Sequence, residues 1–211
     1  MGLAACQIAK ALGCKVIATA STEEKRGVCR DKAGVDAAVD YTKDGWQVSS
    51  CPLHDMELNG QKEVMRITGG KGVDVVFDPV GKLIPSLKCV NWGARLVVVG
   101  FASGPIEKVP ANLLLLKSVS IVGLFWGATF GESAIVCVAD EIGKDPNRAQ
   151  QVVTEVLELL SSGKVVPALY DPIYDGLDEV AKGLDDLDNR KTWGRAVVRV
   201  RKDDSKPQAR L

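Results

Sequence analysis

The chain has 211 residues, 46% apolar and 26% charged, enough for a hydrophobic core and unlike a disordered chain. Lysine plus arginine and aspartate plus glutamate both number 27, so the basic excess of a nucleic-acid binder is missing. No apolar run reaches the roughly 18–20 residues of a membrane span, and the six cysteines, with no Cys-x-x-Cys pair, read as reduced thiols of an intracellular protein.

Residues 2–12 place Leu3, Ile8 and Leu12 among alanines and stop at Gly13, predicting a helix closed by a glycine cap. Residues 15–20 (KVIATA) follow as a short β-branched strand. Ser21, Thr22, Glu23 and Glu24 spell a capping box in which Ser21 caps and Glu24 reaches back. A helix is therefore expected from near Thr22 toward Ala33, broken by Gly34, with a strand at 37–39. Residues 73–77 (VDVVF) and 95–100 (RLVVVG) are near-continuous apolar runs, expected of parallel strands covered on both faces. A strand at 118–125, a helix at 149–162 stopped by Gly163, a strand at 169–173, a helix at 177–187 and a strand at 195–200 complete the series. Alternating helices and strands predict an α/β fold, a doubly wound parallel sheet.

Residues 48–61 (VSSCPLHDMELNGQ) break this pattern, lack periodicity and hold Pro52 and the only histidine, His54. Joining Gln47 to Lys62 would align Trp46, Val64 and Ile67 on one helical stripe. The segment is 14 residues long, a whole number of codons, and its ends can be encoded by a GT donor and a CAG acceptor. It reads as a retained intron or gene-model artefact, because structureless loops longer than about 12–15 residues are uncommon in compact α/β units; the plain alternative is a surface loop. Cys51-x-x-His54 falls inside this segment without a second pair at matching spacing, so no metal site is expected. A single histidine there also leaves no Ser-His-Asp arrangement.

Gly2 opens a helix leading directly into a β-branched strand. In a dinucleotide-binding unit, a strand ends in a glycine-rich turn whose last glycine opens such a helix, and the helix N-terminus faces the pyrophosphate. Gly2 matches that last glycine. With GLAACQIAKALGCKVIATASTEEK at 2–25, TGGKGVDVVFDPVG at 68–81, LVVVGFASG at 96–104 and PANLLLLKSVSIVGLFWG at 110–127 in this order, the chain resembles the zinc-independent, quinone oxidoreductase-like branch of the medium-chain dehydrogenase/reductase superfamily. The resemblance covers residues 2–201 outside the 48–61 segment. Pro85 falls where the family has a helix.

The resemblance implies a Rossmann-like domain over residues 1–127, lacking its first strand, and a segment, 128–211, returning toward a GroES-like catalytic domain that is mostly absent. It implies NADPH, and the residues agree. The strand ending Thr19, Ala20 and Ser21 has no acid where an NAD site wants one for the ribose 2′-hydroxyl. By resemblance Ser21, Lys25 and Tyr41 hold the 2′-phosphate, which needs donors and positive charge. The plain alternative is a capping box beside a solvated lysine, and Glu23 and Glu24 weigh against the site. By resemblance the strand-end stretches 78–81, 100–103 and 124–126 line the nicotinamide side, with Val80, Gly81, Gly100, Phe101, Ala102, Phe125 and Trp126 as the cofactor contacts. Arg190, in the NRKTWGR stretch, matches the family's C-terminal cofactor contact. Phe125 and Trp126 suit core or subunit-interface packing equally well, and residues 189–195 suit a solvated basic turn.

In the family, hydride passes directly from nicotinamide to a quinone or other activated alkene or carbonyl, so a small electrophilic substrate is implied and the catalytic residues stay unassigned. The resemblance further implies a homodimeric parent enzyme, cytoplasmic or mitochondrial, with no nucleic-acid or membrane partner. The 211 residues are expected to be an inactive, N-terminally truncated fragment; the alternative is a non-catalytic nucleotide-binding or oligomerising remnant. A zinc alcohol dehydrogenase would need ligand cysteines and histidines outside these residues.

Overall fold

Small side chains set the first contact of the fold. Helix α1 (Gly2–Ala11) lays Leu3 and Cys6 against Ala18, Cys29, Ala33 and Val35. Its buried Gln7 donates through Nε2 to the Lys32 carbonyl at 2.7 Å, satisfying an acceptor in the last turn of α2 (Glu23–Ala33). Burial pushes the Cys6 thiol up to about 11, with neighbouring Cys29 adding to the shift. The cap of α2 is Thr22 rather than Ser21. Thr22 has extended backbone and its Oγ1 accepts the Lys25 N–H at 3.2 Å, the three-residue spacing an N-cap requires; Ser21, one residue earlier, follows directly on the strand.

The computed structural model describes residues 1–42, 59–125 and 146–200. They divide into two compact units, Met1–Val165 and Val166–Leu211; the domain boundary expected at 127/128 lies outside the described residues. In the first unit, β1 (Ile17–Ala20) pairs in parallel with β2 (Ala37–Asp40). A second parallel sheet has the order β3 (Val73–Asp78), β4 (Val90–Val98), β5 (Ser120–Gly123). The helices between and after these strands are α3 (Asn59–Ile67), α4 (Leu83–Leu87), α5 (Ala111–Lys117) and α6 (Pro146–Ser161).

Leu96 on β4 is fully buried and packs with Leu83, Leu87, Val90, Ala94 and Val119. Each fully buried aliphatic side chain of this kind contributes about 1.5–3 kcal/mol. A further cluster of Val39, Val64 and Cys89, with Ile17, Met65 and Val73 against it, ties the first sheet to the second through α3. No helix among the described residues is long and apolar enough to cross a membrane.

Several local expectations shift. β4 starts at Val90 rather than 95, because its register against β3 slips between Val73–Val90 and Val75–Arg95 and Gly93 takes φ +72° in the slip. β3 is not covered on both faces: Val75 is 62% and Phe77 43% exposed. Among the described residues β3 pairs only with β4. Pro85 sits in the first turn of α4, where its missing N–H has no intrahelical acceptor to lose. Helix α5, which the sequence pattern does not announce, precedes a β5 shortened to four residues. Of the 48–61 segment, residues 59–61 form the first turn of α3 and Gln61 is buried. Trp46 and residues 48–58, with Cys51 and His54, lie outside the described residues.

In the second unit β6 (Tyr174–Asp175) pairs with β7 (Val198–Arg199), and a 3₁₀ turn at Leu177–Glu179 leads into α7 (Val180–Asp188). The strand expected at 169–173 reduces to a single bridge between Leu169 and Arg195; Pro172 has no N–H to continue a ladder. Buried Tyr174 donates its hydroxyl to Asp186 Oδ2 at 3.0 Å, and Lys191 pairs with Asp186 Oδ1 at 2.9 Å.

Candidate dinucleotide site

Three backbone segments meet at the C-terminal ends of the second sheet. A Cβ on Gly100, after β4, would lie 3.2 Å from the Pro79 carbonyl oxygen and 3.8 Å from Met1 Cε. The start of α1 therefore stands at the loops that follow β3 and β4. Helix α1 has no side-chain cap, and its first intrahelical bond runs from the Ala5 N–H to the Met1 carbonyl. The N–H groups of Gly2, Leu3 and Ala4 thus precede the ladder. Gly2 is exposed, with nothing within 4 Å of the place its Cβ would take. An uncapped helix start with open approach favours an anion.

The loops beside it are knitted by backbone. Asp78, the last residue of β3, is 5% exposed. Its Oδ1 accepts the N–H groups of Val80 and Gly81, each at 2.8 Å. The Pro79 carbonyl accepts from Ala102 N–H at 3.2 Å and the Val80 carbonyl from Ser103 N–H at 3.0 Å. Gly81 has φ +89°, and a Cβ there would come within 2.9 Å of Phe101 Cδ1. Among the described residues three buried side-chain oxygens lack a hydrogen-bond partner. Two of them, Asp78 Oδ2 and Ser103 Oγ, belong to these loops.

The ends of β1 and β2 form the other corner. Arg26, its side chain 11% exposed, pairs with Asp40 Oδ2 at 2.8 Å and donates to the Ala20 carbonyl at 3.2 Å. Asp40 Oδ1 accepts the N–H and hydroxyl of Thr42 at 2.8 and 2.7 Å. The Thr42 hydroxyl and then Arg26 hold the Asp40 carboxyl below the usual aspartate range. Glu23 pairs with Arg30 and Arg26, which likewise lower its carboxyl, Arg30 most. Of the two acids that counted against a phosphate here, Glu23 is therefore paired with arginines, while Glu24 is exposed. Ser21, Lys25 and Tyr41 are all half-buried at this corner, and among the described residues the Ser21 hydroxyl makes no hydrogen bond.

Gly2, Val80, Gly81, Gly100, Phe101 and Ala102 thus gather at the second sheet, and Ser21, Lys25 and Tyr41 follow the strands of the first. Phe125, just beyond β5, is 62% exposed and Trp126 lies outside the described residues. Arg190 sits in the second unit with φ +57°. Arg26 is the residue sequence reasoning passes over; Asp78 and Ser103 fall in the strand-end stretches 78–81 and 100–103 that the resemblance assigns to the nicotinamide side, without the role of either being read. For Asp78 a signal exists, since aspartate opening a Pro-Val-Gly turn is a common turn-closing acceptor. The Arg26–Asp40 pair has none, because it forms only when two strands align.

Parallel strands joined by helices, with an uncapped helix start at the strand-end loops, define a Rossmann-like dinucleotide-binding domain. The zinc-binding dehydrogenase family matches residues 1–142, and the chain belongs to that family. It is 31% identical over 204 residues to the quinone oxidoreductase-like protein 2 homolog of Nematostella vectensis, a match covering 95% of this chain and 48% of that protein. The structure resembles a quinone oxidoreductase of Pseudomonas syringae pv. Tomato DC3000 at TM-score 0.69 and 28% identity, over 93% of this chain and 52% of the other. It also resembles the Escherichia coli quinone oxidoreductase, solved in complex with NADPH, at TM-score 0.70 and 26% identity, over 93% of this chain and 53% of the other. The chain spans about half the length of the relatives it matches.

Proposed function

We propose that this chain carries the cofactor-binding part of an NADPH-dependent oxidoreductase that reduces quinones or other activated alkenes or carbonyls. One observation carries the cofactor choice: the residue ending β1, Ala20, is followed by Ser21 and Thr22 with no acid at the strand end, Lys25 lies one turn into α2, and Glu23 and Asp40 are paired with arginines. A 2′-phosphate needs such donors and no competing carboxylate. The NADPH complex of the Escherichia coli relative supports the same choice.

The residues present fit the cofactor. The uncapped start of α1 at Gly2 suits the pyrophosphate. The unfilled hydrogen-bonding capacity of Asp78 and Ser103 marks the loops where the nicotinamide half would lie. Ser21, Lys25 and Tyr41 would hold the 2′-phosphate, Val80, Gly81, Gly100, Phe101 and Ala102 would floor the nicotinamide side, and Phe125 would border it. When bound, NADPH supplies a hydride directly to the electrophile, the protein contributing orientation and electrostatics.

The test is a calorimetric titration of both cofactors against Lys25→Glu. Losing one charge-assisted hydrogen bond of about 1.5–3 kcal/mol weakens NADPH binding by roughly tenfold or more and spares NADH. Equal affinity of the unmutated protein for the two cofactors overturns the choice. The 211 residues by themselves are expected not to turn over 1,4-benzoquinone: β1 and β3 each pair on one side only among the described residues, and exposed strand edges favour self-association. A monomer with measurable reductase activity would refute that expectation.

A further inference from the structure

The hydrogen bonds of Asp78 reach further than the end of its own strand. Its Oδ1 takes both N–H groups of the following turn, at Val80 and Gly81. The carbonyls of Pro79 and Val80 take the N–H groups of Ala102 and Ser103. These four backbone groups of the turn after β3 are thus committed, two to the Asp78 carboxylate and two to the loop after β4. Gly81 is buried beneath Phe101 and Val80 is half-buried beside it, so the turn and residue 101 close into one packed surface. A floor of this kind works only while it is held flat.

We propose that Asp78 is a positioning residue for the nicotinamide half of the cofactor: through Oδ1 it fixes the turn at Val80 and Gly81 against residues 100–103, so that two strand ends present one continuous floor. The proposal rests on the NADPH assignment above. Asp78 Oδ1 does not touch the ligand; it acts through the turn it holds. The corner at Ser21 and Lys25 follows a strand of the other sheet and is independent of this staple.

That independence supplies the test. NADPH and adenosine 2′,5′-bisphosphate, which keeps the 2′-phosphate end and lacks nicotinamide, are titrated against the unmutated chain, Asp78→Ala and Asp78→Asn. Asparagine retains the acceptor at Oδ1. The expected result is a loss of roughly tenfold or more in NADPH affinity for Asp78→Ala, bisphosphate affinity unchanged, and recovery of NADPH binding in Asp78→Asn. Parallel loss of both ligands would make Asp78 a purely structural residue and overturn the proposal, as would failure of the asparagine to recover binding. If the unmutated chain binds the bisphosphate as tightly as NADPH, the floor contributes nothing: the proposal fails while the 2′-phosphate assignment stands. If it binds neither, that assignment fails and the proposal with it. Amide exchange in the unmutated chain gives a measurement that survives misfolding of the alanine variant. Protection at Val80 and Gly81 is expected, and exchange at the rate of an open loop would overturn the staple.

Discussion

The two sets of strand ends that form the candidate site are held by different forces. At β1 and β2 the closure is ionic: Arg26 spans the Ala20 carbonyl and Asp40, while Glu23 is shared between Arg26 and Arg30. At β3 and β4 it is made of backbone hydrogen bonds and one close glycine contact. The exposed Arg30–Glu23 pair is worth little and tolerates rearrangement, whereas the Arg26–Asp40 pair is largely buried. A backbone-knitted turn has no such freedom. On the proposed reading, the outer ion pair of the phosphate corner is adjustable and the turn beside the nicotinamide is fixed.

The comparison breaks first at Gly81. Replacing it with alanine puts a Cβ 2.9 Å from Phe101 in a backbone with φ +89°. The expected loss is about 2–4 kcal/mol from strain and overpacking together, read as a lower urea midpoint. Removing residues 48–61 acts on what links the two regions, since α3 carries Val64 into the cluster joining the sheets. Gln47 then falls in the place of Gln61, and restoring the Trp46, Val64 and Ile67 stripe is expected to stabilise the chain by about 1–3 kcal/mol. A fall in melting temperature would make the segment structural. Arg26→Ala should cost about 1–2 kcal/mol, and the cost should shrink in high salt, whereas that of the Gly81 change should not.

The smallest effect is acid sensitivity. Asp40 and Glu23 are held below their ordinary values of 3.8 and 4.5. A depressed carboxyl contributes stability that is present above its unfolded pKa and lost as pH falls through the folded one. Below about pH 4 the Thr42 amide signal should therefore move while those of Ala102 and Ser103, bonded to carbonyls, hold still.

What was legible in the sequence is what depends on near neighbours. Gly13, Gly34 and Gly163 ended their helices as expected, and the strand after α1 declared itself by Val16 and Ile17. Even there, one residue of ambiguity between Ser21 and Thr22 moved the cap, since both are hydroxyl residues and only backbone geometry selects one. The helix start at Gly2 could be recognised because it belongs to a single helix end. The Arg26 clasp could not, because it forms only when separate strands come into register. The Asp78 turn, by contrast, closes on its own neighbours Val80 and Gly81, and only its bonds to residues 102 and 103 need the next strand. The exposure of Val75 and Phe77 was hidden for a related reason: an apolar run shows that a strand can be covered, and only the pairing of β3 shows on which side.

The packing of α1 on α2 has a chemical consequence. A thiol with a pKa near 11 holds almost no thiolate at neutral pH, and thiolate is the reactive form. Cys6 is therefore a poor target for maleimides and peroxide, although it lies only four residues from the candidate pyrophosphate end at Gly2. Cys14, exposed between α1 and β1, is the accessible thiol of this region, so a label placed there leaves the packed face of α1 untouched.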